Sequence, residues 1–188
     1  MDAYGIRLHG RGGQGVVTAA ELISVAAFLD GQEAQAFPSF GSERMGAPVV
    51  SFCRISSMPI RAHEPVDVPD AVIVADPTLL HHVPVFAGLR AEGDVLINST
   101  RRPEELGLDG LAAARVRCVP ATDIARREIG RPLPNVVLLG AFAELTGQVR
   151  LDSLEQAVHS RFRPDVAERN VAGLRAAALA VRAVSTGA

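Results

Sequence analysis

The sequence predicts an α/β layer fold: a mainly parallel sheet flanked by helices, Rossmann-like, with the C-terminal helices packed on it. Two observations predict it. Short apolar runs of strand length alternate with helical patterns from the start of the chain, as right-handed β–α crossovers require. The glycine-crowded stretch His9-Gly10-Arg11-Gly12-Gly13-Gln14-Gly15-Val16 separates the first short run from the first long one, where a strand–turn–helix corner belongs. The 188 residues contain no internal repeat, low-complexity tract or flexible linker, so a single domain over 1–188 is expected.

Residues 4–8 form the first strand, ending in Ile6 and Leu8. Residues 16–29 form the first helix, in which only Thr18, Glu21 and Ser24 are polar. They lie three residues apart and cover one narrow arc, so the helix should be buried on most sides, within the domain or against a partner subunit. Asp30-Gly31 ends it, and 32–37 form a second strand. Residues 38–48, with two prolines and two glycines, read as a long loop. A strong strand over 49–55 and a turn over 56–59 follow. Residues 71–75 form an apolar strand running into Asp76-Pro77. Residues 78–90 read as a helix that Pro84 must kink or split. Residues 94–97 are a further strand, stopped by Asn98-Ser99-Thr100, and 116–119 another, followed by a helix over 123–129. Pro134 and Asn135 start a helix through Leu145. Leu151, Leu154, Val158 and Phe162 mark one face of a short amphipathic helix; Val166, Val171, Leu174, Ala178 and Val181 mark the last.

Composition removes several kinds of chemistry. The formal net charge of −2 gives no sign of a general nucleic-acid binder. All 19 basic residues other than histidine are arginine, so neither a lysine Schiff base nor the phosphate-loop lysine is available. The two cysteines, Cys53 and Cys118, cannot supply the four thiolates of an iron–sulfur cluster and read as buried small hydrophobes. The N-terminus has no signal-peptide pattern and no apolar stretch reaches bilayer length, so a cytoplasmic protein is expected.

In open parallel sheets, ligands bind beyond the carboxyl ends of the strands. The segments landing there are 10–15, 38–46, 76–78 and 98–102. Glycines allow positive φ and close approach, and the dipole and free N–H groups of a helix start favour anions. Gly10, Gly12 and Gly15 satisfy the dinucleotide spacing, but the same glycines could merely shape a tight corner. Arg11, Arg44, Arg101 and Arg102 each read singly as solvated surface residues; together on one edge they favour an anionic ligand. A nicotinamide site needs an acidic residue ending the second strand, whereas Glu33 begins it. Ser39 and Ser42 lack the G-x-S-x-G elbow. His81 and His82 are adjacent and do not form a metal pair, and no spacing suggests zinc. His9 could touch a ligand or make a structural hydrogen bond. Asp76 could serve a site or cap the next helix. The residues describe a ligand-handling scaffold with no catalytic residue and no metal site of its own.

Three segments carry a resemblance: Gly10-Arg11-Gly12-Gly13-Gln14-Gly15-Val16-Val17-Thr18-Ala19-Ala20-Glu21, Ala34-Gln35-Ala36-Phe37-Pro38-Ser39-Phe40-Gly41-Ser42-Glu43-Arg44, and Gly46-Ala47-Pro48-Val49. With Ile73-Val74-Ala75-Asp76-Pro77-Thr78 and the helix start at Asn135, they resemble the gamma subunit of pyruvate:ferredoxin oxidoreductase and, more broadly, the gamma module of 2-oxoacid:acceptor oxidoreductases, over most of residues 4–185. The resemblance implies a multi-subunit enzyme that decarboxylates a 2-oxoacid on thiamine diphosphate, passes electrons through [4Fe-4S] clusters and transfers the acyl group to coenzyme A. It places thiamine diphosphate and magnesium in alpha- and beta-type partner subunits and the clusters in a ferredoxin-like partner. The gamma module packs on that core and helps to form the coenzyme A site. Gly10, Arg11, Gly12, Gly13, Gln14 and Gly15 match the first family motif, and Ser39, Phe40, Gly41, Glu43 and Arg44 the second. Met45 departs from the pattern, since pyruvate-type members often carry a second arginine there; the substrate could be pyruvate or a related or aromatic 2-oxoacid. Two other readings stand beside this one: a free-standing nucleotide-binding oxidoreductase, and a purely structural spacer subunit.

Overall fold

The computed structural model describes residues 3–39, 45–62, 64–108, 111 and 116–186. Six strands form one sheet: β1 (Tyr4–Arg11), β2 (Glu33–Pro38), β3 (Pro48–Ser56), β4 (Ala71–Val74), β5 (Asp94–Asn98) and β6 (Val116–Val119). Their spatial order is β2-β3-β1-β4-β5-β6. β3 pairs antiparallel with both β1 and β2, whereas β1, β4, β5 and β6 pair in parallel. Only β3 therefore runs against the others, and the carboxyl ends of the other five share one edge. Among the described residues, five α-helices accompany the sheet: α1 (Val16–Leu29), α2 (Ala121–Glu128), α3 (Asn135–Thr146), α4 (Leu151–Arg161) and α5 (Pro164–Thr186).

Side chains alternate across the strands and so divide the core in two. Ile6, Leu8, Cys53, Ile55, Ile73 and Leu96 face the helical layer, where α1 and α3 lie on the strands, α5 reaches β6, and α4 packs on α1, α3 and α5. Val72, Val74, Val95, Ile97 and Val116 face the other way, against Leu79, Val85 and partly buried residues of the 77–111 stretch. Strands covered on both faces need the continuous apolar runs seen in β4 and β5. Helices α3 and α5 approach closely at Gly140, where a Cβ would overlap the carbonyl oxygen of Leu174.

Two expectations change. The first strand continues through Arg11, because β3 pairs with it as far as Arg11–Pro48 and holds the start of the glycine stretch extended. The helix expected over 78–90 is a 3-10 turn, Pro77–His81, followed by irregular backbone. Pro84 cannot donate to a helical ladder. Gly88 takes φ +73°, where a Cβ would meet the carbonyl of Asp67. No helix of the described residues is long and apolar enough to cross a membrane.

Candidate functional site

The turn joining β1 to α1 is built from backbone that only glycine tolerates. Gly13 and Gly15 take φ of 92° and 72°. A Cβ on Gly13 would lie 2.6 Å from the Met45 sulfur, and one on Gly15 would strike the Asn135 amide. The turn is bound to the chain beyond β2: Gly12 N–H donates to the Ala47 carbonyl (2.9 Å) and Gly46 N–H to the Gly12 carbonyl (3.1 Å). Gln14 folds back so that its Oε1 accepts from the Arg11 amide (2.8 Å) while its Nε2 donates to Asp76 (2.9 Å). Asn135, at the start of α3, donates to the Gly15 carbonyl (3.3 Å). Sequence reading took Asn135 only as a helix start; its distance along the chain hid this contact.

Helix α1 begins without a side-chain cap. The amides of Val16, Val17 and Thr18 have no intrahelical acceptor by geometry and donate to no described residue. They border a cleft of about 250 Å³ lined by Arg11, Gly12, Gly13, Gly15, Val16, Val17, Thr18 and Val49. The corner therefore opens onto a void and presents positive dipole to it.

Arg11 is not a free cation. Its Nε lies 3.2 Å from the Asp76 carboxylate. Its terminal nitrogens donate to the Thr78 hydroxyl (2.7 Å) and the Gly46 carbonyl (3.1 Å). Asp76 also accepts from the Thr78 amide (3.0 Å) and hydroxyl (2.6 Å), so it both caps the turn after β4 and anchors the glycine corner. Burial pushes the Asp76 carboxyl up, but Thr78, Gln14 and the Arg11 charge outweigh it and hold it below the usual carboxylate range. Arg11 thus bridges the ends of β1 and β4, where the chain's connections diverge to opposite sides of the sheet.

The carboxyl edge gathers the expected segments. Gly10, Arg11, Gly12, Gly13, Gln14 and Gly15 lie there, with exposed Ser39 at the end of β2, tied by its amide to the Val50 carbonyl (2.9 Å). Phe40, Gly41, Glu43 and Arg44, and also Ser42, lie outside the described residues. Glu33 starts β2 and sits at the opposite edge, away from the corner. His9 is buried at 4% exposure on the face away from α1 and lines none of the clefts described here. Burial holds the thiols protonated, Cys53 pushed up to about 12 and Cys118 to about 11, the latter with help from Glu104.

A larger cleft lies further along the same edge, beyond β4, β5 and β6. It measures about 510 Å³ and is lined by Thr78, His81, His82, Ser99, Thr100 and Arg101 among others. Buried Asn98 braces its floor, donating to the Ala75 carbonyl and the Thr122 hydroxyl (both 2.8 Å) and accepting from the Thr122 amide (3.0 Å). The sequence placed 98–102 on this edge; the roles of Asn98 and Thr122 depend on contacts 24 residues apart.

Comparison with known proteins follows the same outline. Residues 5–180 match the family described as pyruvate ferredoxin/flavodoxin oxidoreductase. A Methanosarcina barkeri protein named pyruvate synthase subunit PorC is 52% identical over 155 residues, covering 82% of this chain and 84% of that protein. A Pyrococcus furiosus protein named pyruvate/ketoisovalerate oxidoreductases common subunit gamma is 45% identical over 174 residues, 92% of this chain and 94% of that one. The crystal structure of pyruvate oxidoreductase subunit PORC from Thermotoga maritima superposes with a TM-score of 0.81 at 34% identity, covering 95% of this chain and 97% of that chain.

Proposed function

The chain belongs to the pyruvate ferredoxin/flavodoxin oxidoreductase family, and from that premise we propose that it is the gamma-type subunit of a multi-subunit 2-oxoacid:acceptor oxidoreductase. The complex oxidatively decarboxylates a 2-oxoacid, pyruvate or a related or aromatic one, and delivers the acyl group to coenzyme A. Thiamine diphosphate with magnesium belongs to alpha- and beta-type partners, and the [4Fe-4S] clusters to a ferredoxin-like partner. Near-full-length likeness to proteins named as subunits supports this division of labour. So does a cysteine count of two, too few for the four thiolates of a cluster. A relative described as common to pyruvate and ketoisovalerate enzymes supports placing the choice of 2-oxoacid in other chains.

This chain's own task in that reading is to help form the coenzyme A site. Coenzyme A supplies the thiol that accepts the acyl group; the residues here hold charged groups rather than reacting atoms. The observation that carries the assignment is the uncapped start of α1 opening on a cleft beside Gly13. The Val16, Val17 and Thr18 amides offer donors to a phosphate, and the positive φ of Gly13 and Gly15 shapes the turn that leaves them uncovered. Ser39, Phe40, Gly41, Glu43 and Arg44, the second family motif, contribute to the same site in this reading. Arg11 acts by positioning, since Asp76 and Thr78 already hold its guanidinium.

The test is Gly13→Val and, separately, Arg44→Ala in the assembled complex, with assembly followed by gel filtration. The expected outcome is a raised KM for coenzyme A with little change in KM for the 2-oxoacid. An unchanged coenzyme A KM in both variants, with assembly intact, removes the assignment.

A further inference from the structure

The cleft beyond β4, β5 and β6 has a chemistry of its own. It sits at the carboxyl ends of three adjacent parallel strands, the ligand position of open α/β sheets. Its polar groups are unbalanced toward donors. The Ser99 hydroxyl oxygen accepts from the Arg101 amide (3.0 Å), and the Thr122 hydroxyl oxygen accepts from Asn98 (2.8 Å). Each hydroxyl therefore has its proton left to give, and neither gives it to a described residue. The Arg101 guanidinium is exposed and has no partner among the described residues. The carboxylate in the lining, Asp123, is engaged by Arg126 (3.1 Å). Donors without acceptors call for an anionic acceptor from outside.

The surroundings sharpen the chemistry. Pro77, Leu80, Leu106 and Pro120 add apolar wall to the same cleft. Ser99, Thr100 and Arg101 also border a neighbouring cleft of about 640 Å³, where Glu104 and Asp123 stand with Arg102, Arg117 and Arg127, and where Arg127 is held by Glu128 (2.6 Å), so the positive charge offered to the first cleft is that of Arg101. The Asn98 hydrogen bonds tie the ends of β4 and β5 to the start of α2, so the shape exists without a ligand.

We propose that this cleft binds a small organic phosphate, its anionic group on Arg101, Ser99 and Thr122 and its apolar body against the proline–leucine wall. The site is separate from the glycine corner, because the Arg11–Asp76–Thr78 bridge stands between them. It goes beyond the coenzyme A reading and does not depend on it.

The experiment is calorimetric titration of the full chain with AMP, with adenosine as the uncharged counterpart. Saturable AMP binding is expected, with adenosine much weaker. Arg101→Ala should weaken AMP at least about tenfold, as loss of a charge-assisted contact does. Arg101 is exposed, so its removal leaves the fold intact, which circular dichroism checks. Exposed Arg169, which lines neither this cleft nor the glycine corner, is the control, and Arg169→Ala should leave AMP binding unchanged. Absence of saturable binding, equal affinity for adenosine, indifference to Arg101→Ala, or an equal loss in Arg169→Ala each overturns the proposal.

Discussion

β1 sends two polar side chains, Arg7 and His9, to the face away from α1, into surroundings that otherwise bury valine and leucine. Arg7 answers its burial by donating to the carbonyls of Val66, Val85 and Ala87. His9 has no such arrangement: its Nε2 is buried and finds no partner among the described residues. Burial first, and then the Arg7 charge, lower its pKa to about 4 in spite of a backbone hydrogen bond to Val85 that acts in the opposite direction. The unfolded imidazole titrates near 6.5. Between these values the unfolded chain binds a proton that the folded chain refuses. Stability should therefore fall as pH drops below about 6.5, and the loss should be complete once pH has passed below about 4, reaching roughly 3 kcal/mol. The lowered carboxyls of Asp76 and Asp30 act in a more acidic window. Urea unfolding at pH 7, 5.5 and 4.5 should show a decline in the native chain that is much reduced in His9→Gln. Parallel declines would place the effect elsewhere. At this scale the sequence was half legible. It identified His9 beside the glycine loop and posed ligand contact against structural role, but only strand alternation in three dimensions reveals which face His9 takes. It marked Arg11 as an anion partner, whereas Asp76, 65 positions away, claims it.

At the scale of elements, apolar period and punctuation carried the reading. The span of α1 is the expected one, and β4 to β6 fall where short apolar runs met polar stops. The misplaced element, 78–90, failed because its apolar residues satisfy a helical period while Pro84 and Gly88 forbid the backbone. Reversal of β3 was also hidden, since an apolar strand carries no mark of its direction. Pairwise helix packing is least legible of all. Gly140 sits inside α3, a place where glycine costs helix stability, and its reason is α5. Because a Cβ there would overlap the Leu174 carbonyl, the two helices would have to separate. Gly140→Ala should destabilise the chain by about 1–3 kcal/mol despite alanine's better helix propensity. Gly147→Ala, by contrast, meets open space at φ +64°, so its cost is confined to backbone strain. Chemical denaturation of both separates the two causes. A Gly140→Ala chain as stable as the native one would mean that α3 and α5 do not approach as described.

For the molecule as a whole, the outer arc of α1 remains to be covered. Val25, Phe28 and Leu29 are 41%, 74% and 43% exposed and stand at i, i+3 and i+4, so they form one apolar stripe rather than scattered residues. The sequence anticipated a helix too apolar for a lone surface; the structure buries its inner side and leaves this stripe at its C-terminal end. Twelve residues of helix separate Phe28 from Val16, roughly 18 Å along the axis. A partner subunit seated on the stripe would leave the glycine corner open, which the coenzyme A reading requires. Phe28→Asp should then dissociate function from folding. The side chain contributes little to the isolated chain, so its melting temperature should hold within a few degrees. An unpaired carboxylate in a dry contact is costly, so recovery of partner subunits on the tagged chain should fall sharply. Equal recovery of partners by the native and Phe28→Asp chains would show that the complex is held by another face, and that the stripe is tolerated exposure rather than an interface.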